Sequence, residues 1–241
     1  MLDTEREYYE EFADWYEGER HGDYDDFVED IRNDLVRRYT IDRDVLDIGV
    51  GSGARLRRLA PLARRAAGVV VPDAPTPPLD GQEMEVVRAE PTDLPYEDGA
   101  FDVVYSFGLV PHLETPAAVL EEFARVVASG GHVVVEFDNP LSLRYLAHRA
   151  RLLMASVTSG GRFDAGDAGR WDHYWNIQSL LPDTLQLEEI AGLRVLTPFA
   201  AVHDVPYLRF FVRQAEFAAR SSPLKFAGGY LVAVLRKLPA G

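Results

Sequence analysis

Cysteine is absent from this chain of 241 residues, so neither a disulfide framework nor a thiolate metal site is possible. Lysine is nearly absent too: Lys225 and Lys237 are the only two, and every other fixed cation is arginine. No apolar run reaches the roughly 18 to 20 residues that a bilayer span requires, and Met1 to Glu11 is acidic where a secretory leader would be basic. A cytoplasmic protein with no integral membrane segment is therefore expected. Positive charge is in deficit overall, with 39 Asp and Glu against 25 Lys and Arg and a formal charge of -14. Phosphate backbones need a net basic face, which argues against nucleic acid as a main partner. No two histidines stand four apart with a third ligand nearby, so no metal site is expected.

So acidic and lysine-poor a surface is similar to those of proteins from salt-loving archaea, where bulk salt screens the self-repulsion. A GC-rich genome would account for the arginines alone. The length suits one α/β domain with a modest cap.

Against these absences stands Val45-Leu46-Asp47-Ile48-Gly49-Val50-Gly51-Ser52-Gly53. An apolar β-branched run breaks into three alternate glycines and then into the helix-like Ala54-Arg55-Leu56-Arg57-Arg58-Leu59. It reads as a buried strand, a tight turn and a crossover helix, the first βα unit of a doubly wound sheet. Glycine belongs there because backbone must turn sharply and approach a ligand. Gly49, Gly51 and Ala54 also satisfy the loose dinucleotide pattern G-x-G-x-x-A, which alone is weak evidence.

Asp47, two residues before the first glycine, and the alternate glycines through Gly53 resemble motif I of the class I S-adenosylmethionine (SAM) methyltransferases. The resemblance implies a Rossmann-like, doubly wound, seven-stranded sheet with an antiparallel last strand, in three α/β/α layers with a small cap insertion. It implies SAM as cofactor, with Asp47 near its methionine end and Gly49, Gly51 and Gly53 packed against its sugar and amino-acid portion. All of 1–241 would then be one domain, with 1–40 a helical lid and 140–176 an acceptor-side insertion.

Along the chain, Tyr8, Phe12, Trp15 and Tyr16 share one helical face. That face is either packing or, as the resemblance implies, a lid over the cofactor. A helix from about Phe27 to Tyr39 follows. Strand two, Ala66 to Val71, should end on an acid for the ribose hydroxyls. Ungapped spacing puts Val70 there, and a three-residue slide aligns Asp73, the favoured candidate. Pro72, Pro75, Pro77 and Pro78 make the next segment extended. Strand three, Met84 to Ala89, leads into Glu90-Pro91-Thr92-Asp93-Leu94-Pro95-Tyr96, then Phe101-Asp102, which resembles the family's acid-x-x-x-Leu-Pro-Phe and Phe-Asp signature. The resemblance gives Glu90 the adenine amino group. Pro91 departs from it, since proline lacks the N–H that normally meets the ring, leaving Thr92 and Asp93.

Strand four, Phe101 to Phe107, places Phe107 beside the cofactor by the same resemblance. His-Leu at 112–113, Glu121 to Val127, and Gly130-Gly131 resemble the ubiquinone and menaquinone methyltransferase branch, over about residues 40–139. A helix from Pro116 to Ala128, with Thr115 as N-cap, a turn at Ser129-Gly130-Gly131 and strand five, His132 to Phe137, are expected. Leu141 to Val157 reads as an amphipathic helix, and Ser159 to Gly169 as a polar, glycine-rich loop. The last two strands are expected at Arg194 to Phe199 and Gly229 to Arg236, with a helix from Pro206 to Arg220 between them.

Methyl transfer is an in-line displacement, so positioning in a dry pocket is the enzyme's main contribution, up to about 7 to 11 kcal/mol. A general base adds about 10² to 10⁴ in rate. His112, after strand four, and His173, in Trp171-Asp172-His173-Tyr174-Trp175, are the candidates, although a lone histidine is often structural. Arg144, Arg149, Arg151, Arg162 and Arg170 beside Trp171, Tyr174 and Trp175 point to a small-molecule or lipid-like acceptor, anionic with a ring or an apolar tail. Alternatively they balance Asp164, Asp167 and Asp172. Two rivals to the enzyme reading are a methyltransferase-like scaffold without catalysis, suggested by Val70 and Pro91, and a nicotinamide dehydrogenase.

Overall fold

A computed structural model describes residues 23–72, 74, 84–143, 145, 146, 149, 171–196 and 206–239. The aromatic N-terminal segment, Asp73, Arg144, His148, Arg151, Arg162, Arg170 and the 159–169 loop fall outside the described residues. The elements are α1 (Asp23–Thr40), β1 (Asp44–Ile48), α2 (Ala54–Leu59), β2 (Arg65–Val70), β3 (Glu85–Arg88), β4 (Phe101–Ser106), α3 (Pro116–Val126), β5 (Val127–Asp138), α4 (Tyr174–Leu180), β6 (Leu185–Leu193), α5 (Pro206–Ala219) and β7 (Tyr230–Lys237). The seven strands lie in the order β3-β2-β1-β4-β5-β7-β6. β1 to β5 run parallel, and β7 enters antiparallel to both β5 and β6. This is the expected Rossmann-like sheet.

Alternation along each strand divides the core between the two faces. Leu46 and Ile48 of β1 join Val119, Leu120 and Phe123 of α3 and Ile177 of α4 in one cluster. Val45 of β1 and Val103 and Tyr105 of β4 join Phe27, Ile31 and Leu35 of α1 and Leu56 and Leu59 of α2 in the other. The spacing of four between Phe27, Ile31 and Leu35 makes one apolar stripe, which is why that segment forms a helix laid on the sheet. Asp47 shares the α1-side face with Val45 and is as buried as its apolar neighbours.

Three expectations are corrected. The penultimate strand is Leu185–Leu193, and Arg194 to Leu196, where the expected strand began, lie beyond it; 197–199 fall outside the described residues. Arg194 turns out of the sheet with φ 57°, and Val195 and Leu196 donate their N–H groups to the Glu216 carboxylate on α5 rather than to a strand. The register of β6 on β7 shifts between Leu187 and Glu189. That extra residue moves the phase of the alternation, so Leu185, Leu187 and Ile190 all pack in the α3-side cluster. No simple period-two pattern runs across Glu188-Glu189.

The second correction is at Ser129-Gly130-Gly131, an irregularity inside β5 rather than a turn before it: Phe101 pairs with Val127, but Val103 pairs with His132. A Cβ at Gly131 would lie 2.5 Å from the Asp102 carbonyl oxygen, so the strands close only over glycine there. Third, Thr115 occupies the N-cap of α3, but its side chain makes no capping bond.

Candidate functional site

Because β1 to β5 are parallel, the segments that follow them all emerge at one end of the sheet. Helices lie on opposite faces on either side of the junction between β1 and β4, which opens a crevice there. The glycine turn, Val71-Pro72, Glu90 to Thr92, Phe107 to His112 and Asn139 onward are thus brought to one edge.

The glycine turn is shaped by backbone bonds and by sterics. Gly49, Gly51 and Gly53 have φ of 81°, 55° and 73°, values that side chains disfavour. Gly49 and Val50 donate to the Val69 carbonyl at 2.9 and 3.2 Å, tying the turn to β2. Among the described residues, a Cβ at Gly51 would meet nothing nearer than the Gly49 carbonyl oxygen at 4.0 Å. The described residues leave that approach open, and any side chain would fill it.

Beneath the turn, Asp47 is fully buried, and neither carboxylate oxygen has a hydrogen-bond partner among the described residues. Burial pushes its carboxyl up to about 7, with the Arg55 charge pulling it down and Glu29 adding to the rise. Tyr105, its cross-strand partner, is also buried, its hydroxyl equally unpartnered. An orphaned buried carboxylate is costly unless something supplies a cation or donors. A ligand bearing an ammonium and a sulfonium suits it, and an open glycine cradle suits a ligand that presses against backbone.

The remaining candidates lie around this centre. Glu90 and Thr92 are exposed, two and four residues beyond the end of β3, and Pro91 is buried. Asp93 donates its N–H to the Glu90 carbonyl at 3.0 Å, so that N–H is engaged in the turn itself. Phe107 is buried, with the Arg55 guanidinium 4.3 Å above its ring. His112 ends a 3-10 turn, Val110–His112, and is exposed. His173 is the N-cap of α4: its Nδ1 accepts from Asn176 N at 3.2 Å. This is a structural role that its place in an aromatic run did not disclose.

The insertion is rooted at the same edge. Asp172 N donates to the Asp138 carbonyl at 2.8 Å, and Trp171 bridges to Asp138 at the end of β5. Tyr145 packs against Trp171 at 4.9 Å between centroids, with the Arg149 guanidinium 6.0 Å from the Tyr145 ring. Trp175 is exposed, and Tyr174 packs on Phe226 at 5.4 Å.

Sequence reasoning missed three arginines. Arg88 Nη1 donates to the carbonyls of Val71 and Ala74, both at 2.9 Å, and to that of Pro72, gathering the turn that carries residue 73. Arg125 binds the carbonyls of Leu94 and Tyr96 and the carboxylates of Asp98 and Glu122, while Glu122 accepts from Leu94 N at 2.7 Å. That pair clamps the acidic loop after β3. The third is Arg55, whose Nη2 donates to Glu29 on α1 at 2.8 Å. Its position one residue into the helix after the glycines was the available signal.

Comparison with known proteins agrees with this geometry. Residues 46–135 match the family described as a methyltransferase domain. A demethylmenaquinone methyltransferase of Clavibacter sepedonicus is 37% identical over 106 residues, which cover 40% of this chain and 42% of that protein. The chain thus spans less than half of that relative's length. A chain of the complex between the Haloferax volcanii Trm112 methyltransferase activator and a methyltransferase superposes with a TM-score of 0.62 at 20% identity, covering 98% of both. The [4+2]-cyclase SpnF superposes with a TM-score of 0.57 at 18% identity, covering 88% of this chain and 81% of its own.

Proposed function

We propose that residues 46–135, which match a methyltransferase domain, are of the class I SAM-dependent kind, with SAM as the cofactor which that domain implies, and that the chain transfers a methyl group to a small anionic acceptor bearing a ring or an apolar tail. The observation that carries the reading is Asp47, a buried carboxylate without a hydrogen-bond partner among the described residues, directly under a glycine cradle that any side chain would fill. When bound, SAM supplies an electrophilic methyl carbon. The chain's own residues do the rest. Asp47 receives the cationic methionine end, Gly49, Gly51 and Gly53 admit the sugar, Asp73 accepts from the ribose, and Glu90, Thr92 and Phe107 bound the adenine.

The acceptor half of the reading rests on the insertion. Its anchorage to Asp138 brings Tyr145, Arg149 and Trp171 to the cofactor edge. An arginine beside stacked rings suits a carboxylate or phosphate carried next to an apolar group. His112 is the general-base candidate of choice, because the Nδ1 of His173 is already engaged in capping α4. No helix among the described residues is long and apolar enough to cross a membrane. The acidic, lysine-poor composition supports a protein that works in a salt-rich medium.

Titration calorimetry with SAM and with S-adenosylhomocysteine, followed by release of S-adenosylhomocysteine in the presence of aromatic carboxylates or phosphates, is the test. Micromolar heats and acceptor-dependent release are expected. No heat with either ligand overturns the cofactor reading. Heat without release for any such acceptor overturns the acceptor reading.

A further inference from the structure

We propose that the cofactor edge carries a docking face for an anionic bilayer surface, formed by Leu141, Leu143, Leu146, Trp175, Leu224 and Phe226 with cations at its rim. The inference stands on the surface alone and holds whichever acceptor is methylated.

Twelve large apolar side chains are exposed among the described residues, and ten of them belong to segments that leave the sheet after β5 or β6, at the cofactor edge. The other two, Ile41 and Leu238, stand at the opposite end. The six residues of the face come from three segments that the fold ties together. Asn139 Nδ2 donates to the carbonyls of Phe226 and Gly228 at 2.9 and 2.7 Å, joining the start of the insertion to the 3-10 turn Pro223–Ala227. Tyr174, at the start of α4, packs on Phe226 at 5.4 Å and on Trp175 at 6.0 Å. Trp175 is 66% exposed and Leu146 61%. Apolar groups so gathered, rather than scattered singly, mark a surface that meets a partner.

Charge selects that partner. Residues 139–163 hold four arginines and no acid, and residues 194–241 hold seven arginines and lysines against Asp204 and Glu216. The two stretches carry formal charges of +4 and +5, which leaves -23 for the rest of a chain of -14. Among the described residues of 138–182 and 206–239 the acids are Asp138, Asp172 and Glu216, all of them buried, so none opposes an anion at contact. Arg149 is exposed, and Lys225 Nζ lies 5.3 Å from the Phe226 ring centroid. A second copy would bring two basic faces together, which like-charge repulsion opposes. Four of the six apolar side chains are leucine, which offers no ring to stack on a base, and this favours lipid over nucleic acid. Leucines, a tryptophan and a phenylalanine beside long cations match an interfacial anchor, whose apolar groups enter the acyl boundary while the cations meet head-group phosphates. At molar salt the Debye length is only about 3 Å, so the cations act at contact and the apolar side chains carry the adhesion.

The test is co-sedimentation of the full chain with vesicles of phosphatidylglycerol and, separately, of phosphatidylcholine, at about 0.15 M salt. Binding to phosphatidylglycerol at least tenfold stronger than to phosphatidylcholine is expected. Leu141→Ser/Leu146→Ser/Leu224→Ser should weaken it at least tenfold while keeping the wild-type melting temperature, because these exposed side chains carry little of the fold. Lys225→Glu should weaken it severalfold, with Lys225→Arg near wild type. Ile41→Ser/Leu238→Ser, at the opposite end, should bind as wild type does. Wild-type binding to neither vesicle, or equally to both, overturns the inference, and so does unchanged binding in the triple leucine variant. A dimer seen by light scattering that the same variant dissociates assigns the face to a second copy instead and overturns it too. Each of these failures leaves calorimetric SAM binding, and with it the proposed function, standing.

Discussion

Replacing Asp47 by asparagine should separate what this side chain does for the fold from what it does for the ligand. A carboxyl whose folded pKa is raised from the ordinary value near 4 to about 7 contributes stability that is full in acid and is lost as pH rises through 7. The cofactor-free variant should therefore be more stable than wild type at pH 8, by about 1 to 3 kcal/mol, a discounted fraction of a shift worth roughly 1.4 kcal/mol per unit. The difference should shrink as pH falls from 7 and vanish only below about pH 4, the ordinary carboxyl value. Urea melts at pH 5 and 8 check the sign, and calorimetry should find SAM binding lost. Gly51→Val makes a complementary case. Its Cβ clashes with nothing among the described residues, so lost SAM binding would report ligand exclusion. The fold should lose only about 1 to 2 kcal/mol from the left-handed backbone, measured by thermal melting. Near-normal affinity in either variant would remove the pocket from the β1 end.

Several sequence signatures act as elements rather than as ligand contacts. The arginine of the α3 signature, Arg125, clamps Leu94 to Asp98 together with Glu122, the neighbour of the signature's Glu121. The Phe-Asp pair likewise ties strand starts together: Asp102 accepts from Asp44 N at 3.0 Å and from Arg64 at 3.0 Å, at the end of the sheet away from the glycine turn. Arg125→Met should free two carbonyls and leave Glu122 without its cation. Amide exchange over 94–98 should rise, and stability should fall by about 1 to 3 kcal/mol. SAM affinity should weaken severalfold while the βα turn stays protected, because the loop that holds Glu90 and Thr92 is the part released. Unchanged exchange over 94–98 would show that the loop needs no clamp.

Over the whole molecule, charge is arranged in two regimes. Arg32 and Glu136 are buried between α1 and the sheet, and burial pushes the Glu136 carboxyl upward against the pull of Arg32. Arg32→Met leaves that acid unpaired, and a loss of about 3 to 5 kcal/mol is expected in urea melts. A loss below 1 kcal/mol would mean that water reaches the pair. Outside, exposed pairs such as Arg58 with Asp30 and Arg65 with Glu85 each count for little, and the net charge of -14 dominates. Molar potassium chloride should accordingly raise the melting temperature by several degrees, through screening of self-repulsion. A melting temperature that falls with salt would contradict the salt-adapted reading of the composition.

Local order along the chain determined the glycine turn, the position of Asp47 before it, the parallel strands and the helices at Phe27 to Tyr39, Pro116 onward and Pro206 onward. Each rests on periodicity or on a backbone conformation that only certain residues adopt. Tertiary structure decided what depends on phase or on contacts distant in sequence. The bulge in β6 hid its apolar alternation behind Glu188-Glu189, and the irregular start of β5 looked like a turn because glycine serves both uses. His173 became a helix cap rather than a free side chain because α4 starts just after it. Likewise, the pairing of Glu29 with Arg55 across 26 positions, and of Arg32 with Glu136 across 104, exists only once α1 lies on the sheet. A charge pattern in sequence counts ions, but which of them meet in a buried place is set by packing.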